Sequence, residues 1–315
     1  MAALLCFIQV QIRQIHLSNM RTVIVITGPT ASGKTALSLE LAKHYNTSII
    51  SADSRQCFRE LNIAVAKPSE AELQNIKHYF INSHSIHDKI SAQSFAQYAH
   101  AATEEIFKDN NYAVMVGGTG LYIKAFCEGL DEIPETDDSI RKEINENYKA
   151  KGLLWLQDEV KYKDPAYWQV SEQQNPQRLM RALEVIISTG ASITAFRMKK
   201  KRQQDFAIIK IGVDLPKTQL HYNINTRVEK MMRQGLLEEA ASLKPFAALN
   251  ALQTVGYKEL FDFFNGHGTL PEAIEHIKIN TRKYAKRQLT WLRKDGEIRW
   301  LPADFSAALQ VLKKN

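Results

Sequence analysis

A chain of 315 residues, 44% hydrophobic and 24% charged, is long enough for one large domain or two modest ones with proper cores. Lysine and arginine outnumber acids 41 to 34, a net charge of +7, which suits a polyanionic partner without demanding one. Cys6, Cys57 and Cys127 lack any C-x-x-C or Cys/His spacing, so neither a disulfide framework nor a zinc site is expected, and no apolar run reaches the roughly 18 residues of a membrane span, so no membrane partner is expected.

The opening stretch MAALLCFIQVQIRQIHLSNM is apolar in part. It lacks basic residues ahead of that part and a clear small-residue cleavage site after it, so it does not read as a signal peptide. Met20 lies just before the first strand pattern, and residues 1–19 read as a dispensable arm or an upstream start-codon assignment. Short β-branched runs at 23–26, 48–51, 78–81 and 113–116 predict strands, and helical spacing of apolar residues predicts helices over 34–45 and 94–108. Such alternation implies an α/β class, a parallel sheet covered by helices.

From about 138 to 202 no strand pattern occurs, only helical stretches broken by Gly152, Pro165, Pro176 and Gly190. FAIIKIGVDLP at 206–216 restores a strand, helices follow, and EIRWL supplies the last strand. The organisation expected is therefore an N-terminal extension (1–19), a first part of an α/β core (20–137), an all-helical insertion (138–202), and a second part of the core (203–315) with a basic C-terminal helix.

Gly28, Pro29, Thr30, Ala31, Ser32, Gly33, Lys34 and Thr35 match G-x-x-x-x-G-K-[ST] between a predicted strand and a predicted helix, the context of a phosphate-binding P-loop. Glycine lets successive backbone N–H groups converge on one point, and the helix N-terminus adds partial positive charge. Lys34 would reach terminal phosphate oxygens, and the Thr35 hydroxyl is placed to ligate Mg²⁺. A loop that splits a triphosphate normally has an aspartate ending a neighbouring strand; here YAVMV runs into Gly117, Gly118, Thr119 and Gly120 instead, and no N-K-x-D motif occurs.

The strand TSIISA ends in Asp53, Ser54, Arg55 and Gln56, at the carboxyl edge where ligands collect in such sheets. A carboxylate there has three available roles: Mg²⁺ ligand, helix cap, or general base. Further on, Asn175 is a good N-cap with Pro176 in the first turn, while Arg178 and Arg181 share a face three residues apart. RMKKKRQ at 197–203 is a basic run suited to nonspecific phosphate attraction. In 277–296, Tyr284, Ala285, Gln288, Leu289, Trp291 and Leu292 form a docking stripe flanked by cations, with Tyr284 and Trp291 expected in the core rather than as base-stacking platforms.

Taken together, these residues resemble the tRNA dimethylallyltransferase family, the isopentenyl-tRNA transferases: GPTASGKT at 28–35, SADSRQ at 51–56, AKP at 66–68, GGTGLY at 117–122, PQRLMRALEV at 176–185, RVEKM at 227–231, GYKEL at 256–260 and NTRKYAKRQLTWLR at 280–293. The resemblance implies a nucleoside-kinase-like P-loop core with a helical insertion that grips the anticodon stem-loop of tRNA. It implies transfer of a dimethylallyl group from dimethylallyl diphosphate to N6 of the adenosine 3′ of the anticodon, with Mg²⁺, in a cytoplasmic monomer. Carried over by motif, Asp53 looks like the general base, Gln56 like a reader of the base, and Thr119 like a contact of the reacting nucleotide or the diphosphate. Lys34 and Arg227 look like diphosphate ligands beside the 28–35 loop, while Ser54, Arg55, Arg141, Gln177, Arg178, Leu179, Met180 and Arg181 look like tRNA contacts.

Two stretches depart from the family pattern. Ala64 and Val65 stand where glycine and threonine are usual, and Asn82 stands where the H-x-L-I-D motif has its carboxylate. Neither touches a residue given a chemical role. No C2H2 finger is present, which points to a bacterial or organellar type. An ATP-dependent small-molecule kinase is the alternative reading of the same loop, and an RNA-binding protein with a vestigial loop is a third, against which intact Gly33, Lys34 and Thr35 count.

Overall fold

The run TVIVIT forms strand β1 (Thr22–Thr27) and is buried at every position, as a strand covered on both faces of a parallel sheet must be. A computed structural model describes residues 20–197 and 202–313; the 1–19 extension and residues 198–201 of the basic run lie outside the described residues. In chain order come α1 (Lys34–His44), β2 (Ile49–Ser51), α2 (Glu70–Asn75), β3 (His78–Tyr79), α3 (Ala92–Ile106), β4 (Tyr112–Gly117) and α4 (Gly120–Glu128). Then follow α5 (Asp138–Lys163), α6 (Pro165–Val170) and α7 (Pro176–Thr189). The chain ends with β5 (Ala207–Val213), α8 (Lys217–Arg233), α9 (Leu236–Leu243), α10 (Tyr257–Phe264), α11 (Leu270–Leu292), β6 (Arg299–Leu301) and α12 (Phe305–Lys313).

Among the described residues the six strands make one parallel sheet in the order β3-β2-β4-β1-β5-β6. Each strand predicted from sequence is present, although the one expected over 78–81 keeps only two residues. Successive side chains of β1 go to opposite faces. Val23 and Val25 join the core of α3, α4 and α8 to α11, while Ile24 and Ile26 pack with α1 and α12. The chain leaves β1 toward one edge of the sheet and returns through β4 to β5 on the other side of β1. That reversal sets the carboxyl ends of β1, β4 and β2 side by side, the position in which open α/β sheets bind ligands.

Two compact units result, one of 1–128 with 203–315 and one of 129–202; the second begins earlier than the expected 138. It contains no strand among its described residues and has its own core of Ile144, Leu156, Val160, Tyr167, Leu179 and Leu183. The breakers read in the sequence act as such. Gly152 takes φ 77 inside α5 and kinks it, Asn175 caps α7 by accepting from the Arg178 amide, Pro176 sits in the first turn, and Gly190 ends the helix in the left-handed region.

Candidate active site

Between β1 and α1 the backbone explains the glycines of the 28–35 loop. A Cβ on Gly28 (φ +147) would lie 2.8 Å from the Val213 carbonyl oxygen, and Gly33 (φ +93) enters α1 in the left-handed region. Ala31 adopts φ 62 without being glycine, a strained angle of the kind that gathers at ligand-binding loops. Asn223 of α8 supports it, donating from Nδ2 to the Ala31 carbonyl at 3.1 Å. No side chain caps α1 and no acid stands in its first turn, so its first N–H groups and positive dipole end suit an anion. Ser32 Oγ, buried without a hydrogen-bond partner among the described residues, adds a hydroxyl to that set.

Two cations flank the loop. Lys34 donates from Nζ to the Pro29 carbonyl at 3.1 Å, and its pKa is pulled down to about 8, chiefly by burial, further by the Arg227 guanidinium, and against the attraction of Asp53. Burial also lowers Arg227, again against Asp53, and Arg227 Nη1 donates to Thr30 Oγ1 at 3.0 Å. Two desolvated like charges gain from any ligand that brings several negative charges.

Asp53 follows β2. Its Oδ1 accepts from the amides of Arg55 (2.8 Å) and Gln56 (3.3 Å); no helix starts there, so the helix-capping role is corrected to closing the turn at 54–57, and the same carboxylate lines the cavity beside Lys34 and Arg227. Thr119 is tied to that turn: its amide donates to the Ala52 carbonyl at 3.3 Å and its Oγ1 accepts from the Ser54 amide at 3.1 Å. β4 ends in Gly117, where a Cβ would stand 2.1 Å from the Ala52 carbonyl oxygen. A carboxylate cannot occupy that strand end, which is the physical reason for the missing aspartate.

One cavity of about 130 Å³ collects these groups. Thr30, Lys34, Thr35 and Arg227 line it together with Asp53 and Gln56, and Val65, Val228, Met231, Val255 and Ile277 give it an apolar wall. Gln56 is committed to that wall, accepting from Ser51 Oγ at 3.0 Å and donating to the carbonyls of Val65 (3.2 Å) and Ala66 (3.1 Å). Glu239 holds the other end of the segment, accepting from the amides of Asn62 (3.2 Å), Ile63 (2.8 Å) and Ala64 (3.1 Å) and from Tyr257 Oη (2.7 Å). Of the departures from the family pattern, Val65 falls in the apolar wall and its carbonyl accepts from Gln56, which corrects the expectation that no departure touches a residue given a role. Asn82, at a positive φ of 54, accepts from Lys67 Nζ, which also donates to the Phe58 carbonyl at 2.6 Å. Burial pushes Lys67 down to about 8, with Glu239 opposing.

Sequence reasoning placed Gln288 only in a docking stripe and gave Glu239 no role. Gln288 is buried, accepting from the Thr30 amide and donating to the Gly118 carbonyl, both at 2.9 Å. A lone amide on an apolar stripe was the available signal, because a buried amide must find partners. The expectation for Tyr284 and Trp291 is corrected. Tyr284 lines the cavity with Arg287 over its ring at 5.8 Å, and burial and then Asp53 raise its phenol to about 12. Trp291 is 37% exposed and lies against Gly120, where a Cβ would meet its ring at 2.1 Å.

In the 129–202 unit, Arg141 makes a two-pronged pair with Glu184 (3.0 and 2.9 Å), which Arg181 joins at 3.1 Å. Arg178 pairs with Glu172 at 2.7 Å. Gln177 and Arg178 are exposed, whereas Leu179 and Met180 are buried in the unit's own core. The whole stretch was expected to contact tRNA; Leu179 and Met180 turn their side chains into the unit's core, so the polar side chains it presents are those of Gln177, Arg178 and Arg181.

Residues 56–295 match the family model described as IPP transferase. The chain is 46% identical over 293 residues to a tRNA dimethylallyltransferase of Flavobacterium johnsoniae, covering 91% of this chain and 94% of that protein. It is 48% identical over 279 residues to one of Christiangramia forsetii, covering 89% and 92%. Among solved structures it is similar to the tRNA isopentenylpyrophosphate transferase of Bacillus halodurans, with a TM-score of 0.67, 32% identity, and coverage of 93% and 95%.

Proposed function

Because the chain belongs to the IPP transferase family, we propose that it transfers the dimethylallyl group of dimethylallyl diphosphate to N6 of the adenosine 3′ of a tRNA anticodon, yielding N6-(dimethylallyl)adenosine. One observation carries the reading to these residues: the uncapped start of α1, two desolvated cations, a carboxylate and an apolar wall border a single cavity. A prenyl diphosphate has the complementary halves, a charged head for the loop and a short hydrocarbon for Val65, Val228, Met231 and Ile277. ATP would be at most a competitor, and the kinase alternative is not favoured by the family to which the chain belongs.

An adenine amine is a poor nucleophile, its lone pair being delocalised into the ring. As N6 bonds to the allylic carbon and the carbon–oxygen bond breaks, Asp53 takes the amine proton. Negative charge develops on the departing diphosphate, where Lys34, Arg227 and the loop amides stabilise it more in the transition state than in the ground state. The double bond spreads the positive charge of the allylic carbon, so no covalent enzyme intermediate is needed. Extrusion of the base from its stack gives access and a route to selectivity. The Thr35 hydroxyl, with diphosphate oxygens and water, is a hard-oxygen donor set of the sort Mg²⁺ takes, and a bound Mg²⁺ would neutralise leaving-group charge.

On the acceptor side, Arg55 and Tyr284 border both the cavity and an adjoining groove of about 840 Å³ that Ser54, Lys258 and Arg287 also line. Cations there suit a phosphate backbone, as do Gln177, Arg178 and Arg181 of the 129–202 unit. No helix of the described residues is long and apolar enough to cross a membrane; a monomer working in the bacterial cytoplasm completes the proposal. The test is incubation with unmodified tRNA and radiolabelled dimethylallyl diphosphate, followed by digestion to nucleosides. Label in N6-(dimethylallyl)adenosine is the expected result, and unlabelled tRNA alongside γ-phosphate transfer from ATP to a small molecule would overturn it.

A further inference from the structure

Gln288 stands where the two halves of this reaction meet, and we propose that it is a positioning residue fixing the spacing between the leaving-group loop and the turn that carries the base. The inference rests on the prenyl-transfer reading. Gln288 is 7% exposed and both ends of its amide are engaged, Oε1 by the Thr30 amide and Nε2 by the Gly118 carbonyl, each at 2.9 Å. On one side Thr30 Oγ1 accepts from Arg227 at 3.0 Å, beside the departing diphosphate. On the other, Gly118 precedes Thr119, whose Oγ1 accepts from the Ser54 amide at 3.1 Å, next to Asp53. One amide thus joins both sets of reacting groups, and it is carried by α11, anchored through buried Ala285 and Leu292.

The chemistry requires both its ends. Displacement at the allylic carbon needs N6 and the bridging oxygen on opposite sides of that carbon, and a shift of about 1 Å in such an alignment costs on the order of 100-fold in rate. A carboxylate at 288 would still accept from Thr30 but would repel the Gly118 carbonyl, and an aliphatic side chain would satisfy neither partner. Gly118 shows how closely the strut fits. A Cβ there would lie 2.1 Å from Gln288 Nε2, while the nearest backbone atom among its close contacts, the Gly28 carbonyl oxygen, is 3.4 Å away. The methyl group added by Gly118→Ala therefore collides with the amide of Gln288 and makes only an ordinary contact with the loop backbone.

The test is a kinetic cycle on the full chain: kcat and KM for tRNA and for dimethylallyl diphosphate in wild type, Gln288→Leu, Gln288→Glu, Gln288→Ala, Gly118→Ala and the Gln288→Ala/Gly118→Ala double variant. The single variants are expected to lose about 10- to 100-fold in kcat with both KM values within about threefold of wild type. The double variant should be no slower than Gln288→Ala, because the side chain that the added methyl would displace is already gone. Thermal unfolding identifies any variant that fails to fold; Gln288→Glu, which keeps the size and the Thr30 contact, then carries the measurement. Unchanged kcat, a rise in KM for dimethylallyl diphosphate at constant kcat, or additive losses in the double variant would each overturn the positioning role. A wild-type chain that transfers no prenyl group at all would instead overturn the activity itself, and this role with it.

Discussion

Asp53 Oδ1 is shared by the amides of Arg55 and Gln56, so substitutions at this position separate two roles. Asp53→Asn keeps an oxygen for those amides and removes the base; Asp53→Ala removes both. Asp53→Asn should therefore fold with an unchanged unfolding midpoint yet lose at least about 100-fold in single-turnover rate, the usual contribution of a general base, while tRNA binding by mobility shift persists. A fully active Asp53→Asn enzyme would refute the general-base role. Lys34 gives a pH signature. With its pKa near 8 in the free enzyme, it loses its charge as pH rises through 8, and KM for dimethylallyl diphosphate should climb there. In Lys34→Arg, which stays charged, the climb should flatten. Folding responds with the opposite sense: the folded chain binds fewer protons at Lys34 than the unfolded chain between about 8 and the ordinary 10.5, so this residue makes stability rise with pH across that window. At this scale the loop was legible in sequence because its chemistry is local. The motif marks Gln56 as a reader of the base, but its observed amide partners, the carbonyls of Val65 and Ala66, are ones that no local pattern reveals.

Among the elements, the 62–66 wall depends on a carboxylate from α9. Glu239 accepts three consecutive amides and the Tyr257 hydroxyl, and burial, with the Glu239 charge added, raises the Tyr257 phenol. Glu239→Ala strands those donors. It should cost about 2–3 kcal/mol in urea unfolding and loosen the Gln56 contacts, seen as faster amide exchange at 62–66; an unchanged midpoint would show that the wall holds without it. In the 129–202 unit, burial pushes Glu184 up, but hydrogen bonds from Arg141 and Arg181 more than offset it, leaving the carboxyl below its ordinary range. The stabilisation is present above pH 4.5, the unfolded value, and is lost as pH falls through the lower folded value. Removing the carboxylate with Glu184→Gln should abolish that acid-side loss in the unit's helical CD signal. Elements themselves were readable where burial is two-sided: β1, β4 and β5 are runs that nothing but a covered sheet would bury. The strand at 78–81 was overextended because Phe80 and Asn82 take positive φ, an angle that tertiary packing imposes and composition does not announce.

Across the whole chain, the cavity and the hydrogen bonds directly behind its lining draw on residues 28–35, 53–56, 117–119, 227 and 288. The first three follow β1, β2 and β4, and strand order alone brings them together; alternation in the sequence implied a parallel sheet, and the carboxyl-edge rule then placed them. Arg227 and Gln288 come from helices in the second half of the core, and no spacing in the sequence links them to the loop at 28–35. Gln288 acts through its two hydrogen bonds, whereas the contribution of Arg227 is electrostatic and reaches the stability of the fold. Lys34 and Arg227 are held close together with Asp53 as their counter-charge, so the ligand-free protein carries a repulsion that a diphosphate relieves. Dimethylallyl diphosphate at 100 times its Kd should add about 2.7 kcal/mol, raising the unfolding midpoint by about 5 °C, and ATP at the same concentration should raise it less. Arg227→Met removes the repulsion together with the diphosphate contact. The ligand-free variant should unfold at or above the wild-type midpoint, while the shift produced by dimethylallyl diphosphate shrinks. A variant that unfolds earlier yet keeps the full shift would place Arg227 in the scaffold and not in the diphosphate site.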